Sequence, residues 1–159
     1  HHEVVGAKMT KRILQELKYD KKTIKDVALL VELHLRPHTF KMGWTDSAVR
    51  RYIVDAGEVL EDLNNLVRAD VTTKNKQKAQ EIYDKLDEME NRIKEVLEKE
   101  EMSKLRPPIT GDEIMKIFNL EPGPKVGIIM KALYEQRINE GEVSKEEAIK
   151  LAEGIFKNL

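Results

Sequence analysis

The clearest helical signal lies in residues 78–98, which read KAQEIYDKLDEMENRIKEVLE. Apolar residues recur there at alternating steps of three and four, the spacing of one packed helix face: Ala79, Ile82, Leu86, Met89, Ile93 and Val96. The stripe covers about two and a half heptads, fewer than the roughly three or four that indicate a coiled coil. We therefore expect one long helix over about residues 73–105, packed against neighbours in a bundle.

Helical spacing continues on both sides of this segment. Short polar residues precede the apolar runs and are predicted N-caps: Asp20, Thr45, Thr110 and Ser144. Pro107 and Pro108 must end the long helix because proline lacks a backbone N–H, and a subdomain boundary is expected there. No segment alternates as a strand does. The sequence predicts an all-α helical bundle of about eight helices with one long central helix.

The same spacing marks the apolar positions of the first four helices. They are Val5, Met9, Ile13, Leu14 and Leu17 in the first, Ile24, Val27, Leu30 and Val31 inside the second, Val49, Tyr52 and Ile53 buried in the third, and Val59, Leu60, Leu63, Leu66 and Val67 in the fourth.

Composition excludes several classes of protein. Charged residues make up 36% of the 159 residues and aromatic residues only 5%, as in helical proteins rich in Glu, Lys and Leu. No apolar run reaches the roughly 18 residues of a membrane-spanning helix, and no signal-peptide pattern occurs. The absence of cysteine excludes disulfides and thiolate metal sites. A cytoplasmic protein without membrane association is expected.

Charge is unevenly distributed along the chain. Residues 1–78 contain 15 Lys/Arg and 11 Asp/Glu, a net of +4, whereas residues 79–159 contain 13 and 18, a net of −5. A basic first half fits an RNA partner, although two ordinary solvated surfaces would give the same totals.

Residues for catalysis are not evident. The chain has no glycine-rich phosphate loop with a lysine, no paired aspartates of the kind a two-metal nucleotidyl transfer site needs, and no nucleophile–histidine arrangement. We therefore predict no catalytic residue in this chain. The four histidines are His1, His2, His34 and His38. His34 is expected to be a hydrogen-bonded packing residue and His38 an exposed loop residue, and His1 and His2 are either native or the end of a tag.

Basic residues give the best indication of a binding site. Lys74, Lys76 and Lys78 crowd the start of the long helix, where each positive charge opposes the helix dipole by roughly 0.3–1 kcal/mol. A bound phosphate would reverse that sign. The predicted RNA-binding residues are Arg50, Arg51, Arg68, Lys74, Lys76, Lys78 and Lys125. Gly127, close after Lys125, either admits another backbone or serves helix packing. A solvated basic face is the alternative.

Seven segments are distinctive when they are taken together and in order. They read HHEVVGA at 1–7, LVELH at 30–34, WTDSAVRR at 44–51, RAD at 68–70, TGDEIM at 110–115, PGPKVG at 122–127 and EGEVS at 140–144. These segments resemble those of bacterial CCA-adding tRNA nucleotidyltransferases. The resemblance implies an all-α fold, with a partial HD-type helical domain at 1–72 and the long helix plus a C-terminal tRNA-binding tail at 73–159. The parent enzyme would add C, C and A through a head that precedes residue 1, using Mg²⁺ with ATP and CTP.

The resemblance also implies what is missing. No His-Asp doublet of an HD site occurs, and His1, His2, His34 and Asp70 are at best a partial metal-ligand set. We therefore expect no nucleotidyl transfer, no phosphohydrolase activity and no cofactor in this chain, whose partner would be tRNA.

Two alternative functions stay open at this point. One is the C-terminal region of a bacterial poly(A) polymerase, and the other is a helical protein–protein interaction module that uses the 79–96 stripe. Salt dependence would separate RNA binding from apolar helix pairing. Because the first helices of the HD-type domain would be absent, the apolar faces around Val5, Met9, Ile13, Val27 and Val31 are expected to lack partners and to drive homo-oligomer formation.

Overall fold

The structure is a computed structural model that describes residues 2–100 and 106–159, with the backbone alone for residues 41 and 42. These residues form eight α-helices and no strand. The helices are α1 (His2–Glu16), α2 (Lys21–Leu33), α3 (Asp46–Ala56), α4 (Leu60–Ala69), α5 (Lys76–Lys99), α6 (Gly111–Phe118), α7 (Pro124–Glu140) and α8 (Lys145–Phe156). Short 3₁₀ helices cover Arg36–Met42 and Gly57–Val59. The predicted all-α fold with one long helix is confirmed.

The predicted N-caps are confirmed. Side-chain oxygens of Asp20 and Thr45 accept backbone N–H groups at 3.0 and 3.3 Å. Thr110 and Ser144 each accept the N–H of the glutamate three residues later at 3.2 Å, and that glutamate accepts the cap's own N–H in return. These reciprocal bonds satisfy donors that a helix start otherwise leaves unpaired.

The long helix is shorter than expected. It begins at Lys76 rather than near Thr73, because the Asn75 side chain accepts the N–H of Lys78 at 3.1 Å and so acts as the N-cap. It ends at Lys99, and the last residues of the predicted range, 101–105, lie outside the described residues.

The chain forms two compact units, residues 1–94 and 95–159. The division lies within α5, whereas the sequence placed a domain boundary at 72/73. Ion pairs from Arg68 of α4 to Glu90 and from Arg92 to Asp46 of α3 tie most of α5 to the first unit. The assignment of residues 1–72 and 73–159 to two functional domains stays a prediction.

In the first unit, α2 lies beside α1, α3 and α4. The prediction that Val49, Tyr52 and Ile53 are core residues is confirmed, since each is at most 1% exposed. Val59, Leu63 and Val67 are buried as well. The prediction for Leu66 is wrong: it is 37% exposed because Leu63 and Val67, one turn apart, define the inner face of α4.

The apolar stripe of α5 is buried within the fold. Leu86, Met89, Ile93 and Val96 are at most 5% exposed, and Ile82 is half-buried. The expectation that this helix packs inside a bundle is confirmed. The stripe is consequently not an open surface for a protein partner.

Three aromatic rings pack together in the first unit, next to the 3₁₀ helix Arg36–Met42. The Trp44 ring lies 5.4 Å from the Phe40 ring and 5.1 Å from the Tyr52 ring, centroid to centroid. The buried Tyr52 hydroxyl donates to the Asn64 Oδ1 at 3.0 Å, and burial raises the pKa of Tyr52. Tyr52 therefore joins α3 to α4 as a neutral phenol.

In the second unit, α7 contacts α6 and α8 around an aliphatic core: Ile109, Ile114, Ile129, Leu133, Val143, Ala148 and Ala152. Arg137 is 3% exposed and pairs with Glu100 at 3.3 Å. A buried guanidinium requires such a partner, because an unpaired charge would be costly to desolvate.

One face of α1 is exposed. Ala7 is buried, and a Cβ added at Gly6 would lie 3.1 Å from the Val31 Cγ1, so that side of α1 fits closely on α2. Four large apolar residues are nevertheless exposed: Val5, Met9 and Ile13 of α1 are 55%, 50% and 44% exposed, and Leu17, directly after its end, is 63% exposed. The expected unpartnered face therefore exists on α1, whereas Val27 and Val31 of α2 are half-buried.

Candidate nucleic-acid interface

Each of the three arginines predicted to bind RNA already interacts with other groups of the chain. Arg68 donates through Nε and Nη2 to the two carboxylate oxygens of Glu90, each at 2.9 Å, and through Nη2 to Asp87. These hydrogen bonds raise the pKa of Arg68. Arg50 is only 9% exposed and Arg51 is half-buried, and both have interactions of their own. Contact of these three arginines with RNA stays a prediction. Arg68 has a structural role, because its hydrogen bonds join α4 to α5.

The lysines at the start of α5, unlike Arg68, are not held by carboxylates of the described residues. Lys74, Lys76 and Lys78 are exposed, and in the described part of the chain none of their ammonium groups has an ion-pair partner. The first turn of α5 carries no acidic residue. The positive end of the helix dipole and three cations thus favour an anion at the same place.

A cavity of about 280 Å³ opens beside these lysines. It lies between the 3₁₀ helix Arg36–Met42 and the first half of α5, and its lining consists of Pro37, His38, Phe40, Lys78, Glu81, Ile82, Lys85 and Leu86. Sequence reasoning predicted Lys78 but missed Lys85. The signal was present, since Lys85 follows Lys78 by seven residues and so lies on the same helix face. The opposing wall was not visible, because it comes from a segment about forty residues earlier.

Lys125 lies in the second unit, in the first turn of α7 directly after Pro124. It is exposed, and no ion pair involves it among the described residues. The idea that Gly127 admits a close neighbour is wrong, because a Cβ added there would meet nothing within 4 Å.

The candidate metal ligands are only partly brought together. The rings of His2 and His34 lie 6.4 Å apart edge to face. The His34 Nδ1 hydrogen-bonds the Val31 carbonyl oxygen at 2.6 Å, as expected for a packing histidine. Asp70 is exposed at the end of α4, and His1 lies outside the described residues. Over residues 2–100 and 106–159, no group of three or more His, Asp or Glu side chains is arranged to hold a metal ion.

The sequence of this helical chain matches a known family over residues 4–152, the family described as tRNA nucleotidyltransferase domain 2. The chain belongs to that family. The resemblance seen in the sequence is thereby confirmed at the level of the tRNA nucleotidyltransferases.

Two curated members of this tRNA nucleotidyltransferase family are similar to the chain. An A-adding tRNA nucleotidyltransferase of Deinococcus radiodurans is 33% identical over 138 residues, 86% of this chain and 30% of the relative. A CC-adding tRNA nucleotidyltransferase of Thermus thermophilus is 33% identical over 149 residues, 92% of this chain and 31% of the relative. The chain thus spans about a third of the length of these relatives. No solved structure matches it significantly. No helix in the described ranges is long and apolar enough to cross a membrane.

Proposed function

We propose that this chain is the tRNA-holding helical region of a tRNA nucleotidyltransferase. The observation that carries the proposal is the start of α5, where Lys74, Lys76 and Lys78 are exposed and without ion-pair partners among the described side chains. Such a site binds phosphate without reading sequence, which suits a protein that must accept many tRNAs.

The relatives support the same role. One is named for adding A and the other for adding CC, yet each is 33% identical to this chain. A region shared by enzymes that add different nucleotides fits a step common to both, and holding tRNA is such a step. Selection of the nucleotide, and the Mg²⁺, ATP and CTP that transfer would require, belong on this proposal to the rest of a longer protein. The chain itself offers no metal-ligand group within its described part.

Binding of labelled tRNA at about 50 and 200 mM salt tests the proposal, because phosphate contacts release counterions and weaken as salt rises. The variant replaces Lys74, Lys76 and Lys78 by Ala. A matched variant replaces Lys8, Lys11 and Lys21, which are also exposed, by Ala and removes the same charge. Weaker binding in the first variant alone supports the site at α5, whereas equal loss in both would indicate attraction by overall charge.

For the isolated chain we propose, in addition, self-association through an exposed apolar patch formed by Val5, Met9 and Ile13 of α1 and by Leu17 directly after it. Exposed groups of large apolar side chains tend to be covered in solution. A second copy presents the same patch, so a two-fold pairing is self-complementary.

A further inference from the structure

The cavity between the 3₁₀ helix Arg36–Met42 and α5 has the size and the walls of a site for one flat group. Its volume of about 280 Å³ lies at the lower edge of the roughly 300–1,000 Å³ that small-molecule pockets span. Phe40 and Leu86 are at most 5% exposed, Pro37 is buried and Ile82 is half-buried, so the interior is apolar. Such a space accepts a nucleobase and is too small for a larger cofactor or a helix.

The rim of this cavity carries charged side chains that form no ion pair with other described residues. Lys78, Glu81 and Lys85 project from one face of α5 at spacings of three and four. Glu81 and Lys85 have the spacing of a helical ion pair, but among the described residues neither forms one. Two ammonium groups and one carboxylate are therefore available to a ligand at the mouth of an apolar space.

Each rim group matches one part of a nucleotide. Ammonium groups bind phosphate oxygens. The imidazole of His38, exposed at the rim, offers a ring for stacking on a base. The Glu81 carboxylate only accepts hydrogen bonds, and its two oxygens match two adjacent N–H donors. Guanine presents such a pair on its Watson–Crick edge, N1–H beside the N2 amino group, whereas on that edge adenine, cytosine and uracil each present one donor group next to an acceptor.

We infer that this cavity binds one unpaired guanosine of an RNA strand, with the base between His38 and the apolar wall, Glu81 on its Watson–Crick edge, and the flanking phosphates on Lys78 and Lys85. The inference rests on the proposed tRNA-holding function and adds a base-reading site to it. RNA-binding proteins read unstacked bases in this manner, by stacking and by hydrogen bonds to base edges. Lys78 belongs both to this rim and to the basic start of α5, so the phosphate track and the base site would be continuous.

Fluorescently labelled oligouridylates that carry a single central G, A or C test the inference by titration with the 159-residue chain. The G-containing oligomer should bind about tenfold more tightly than the others, the scale of one bidentate contact to a base. Because an amide has one acceptor oxygen and cannot accept both guanine N–H groups, Glu81→Gln should abolish that preference. Glu61→Gln, an exposed change in α4, should preserve it.

The possible outcomes have distinct meanings. Equal binding of the G, A and C oligomers by the unaltered chain, or a G preference that survives in Glu81→Gln, overturns the inference. Binding of GMP as tight as that of the G oligomer also overturns it, since the site would then serve a free nucleotide. Salt-dependent tRNA binding without a G preference leaves the proposed function standing while the inference fails. A G preference in the oligomers without salt-dependent binding of tRNA would contradict the proposed function and retain the pocket as a guanosine site.

Discussion

Arg68 of α4 donates two parallel hydrogen bonds to the carboxylate of Glu90 of α5, from Nε to Oε1 and from Nη2 to Oε2, each 2.9 Å long. The two side chains are 29% and 27% exposed, so water screens the pair only in part. Planar, two-pronged contacts of this kind fix orientation as well as distance, which a single ammonium group cannot do.

Replacement of Arg68 by Lys should destabilise the first unit. Exposed ion pairs contribute about 0–1 kcal/mol and breaking a buried one costs about 3–5, so a loss of roughly 1–2 kcal/mol is expected for this half-buried pair. The urea midpoint of unfolding measures it. Arg12→Lys is the control, because Arg12 and its partner Glu16 are 72% and 71% exposed and their pair should matter little. Equal midpoints for the two variants would contradict the structural task given to Arg68.

The salt dependence of tRNA binding should become weaker when the lysines at the start of α5 are removed. Each phosphate contact contributes about one to the slope of log affinity against log salt concentration, so replacing Lys74, Lys76 and Lys78 by Ala should reduce the slope by up to about three. Filter binding over a salt series gives the slope. An unchanged slope with reduced affinity would point to misfolding of the helix start rather than to lost phosphate contacts.

Glu113 makes the second unit sensitive to acid. Its carboxylate accepts the Lys145 ammonium at 2.6 Å and the Thr110 N–H at 2.8 Å, and these bonds lower the pKa of Glu113 to about 2. A carboxyl group with a depressed pKa stabilises the folded state above its unfolded pKa of about 4.3 and loses that contribution as pH falls toward its folded value. The thermal midpoint should therefore fall between about pH 4.5 and pH 2.

Glu113→Gln provides the comparison, since an amide does not titrate. The variant should be less stable at neutral pH and should lose less stability on acidification over the same interval. Parallel curves of thermal midpoint against pH for the two proteins would show that Glu113 is not the group responsible.

Two glycines should respond to alanine in opposite directions. Gly141 ends α7 at φ 84°, a conformation that side chains disfavour, and Gly141→Ala should cost roughly 1–3 kcal/mol. Gly127 lies within α7 with open space where a Cβ would go, so Gly127→Ala should stabilise by roughly 0.5–1 kcal/mol. Chemical denaturation of both variants measures the difference. A loss of stability in Gly127→Ala would mean that the residue has a close neighbour after all.

Self-association through α1 should respond to one charge on its exposed face. Met9→Glu places a carboxylate among the exposed apolar side chains of α1 and should shift the isolated chain to monomer in sedimentation velocity. Lys11→Glu, a larger change of charge at another exposed position of α1, should leave assembly intact. If the unaltered chain is monomeric at about 100 µM, the proposal is wrong.

Features decided within one helical turn were predictable from the sequence. The caps at Thr45, Thr110 and Ser144 depend only on neighbouring residues, and all three are present. The predicted start of α5 near Thr73 was wrong, because the cap residue Asn75 sets the first helical residue at Lys76.

Features that depend on distant segments were not predictable. Arg68 looked like a free cation in the sequence, and only the packing of α4 on α5 brings Asp87 and Glu90 to it. The cavity needs Pro37 and Phe40 to face α5, and no local pattern in either segment indicates that pairing. The predicted lysines and the observed cavity nevertheless share Lys78, so part of the candidate site was visible from the start.

Trp44 is the single tryptophan of the chain, and it lies against Phe40 and Tyr52. Its fluorescence is consequently a reporter for residues 1–94 alone, whereas far-ultraviolet circular dichroism sums the helices of both units. Superimposable melting curves from these two probes would mean that the units unfold as one cooperative system. A gap between the curves would give each unit its own transition, without any label or truncation.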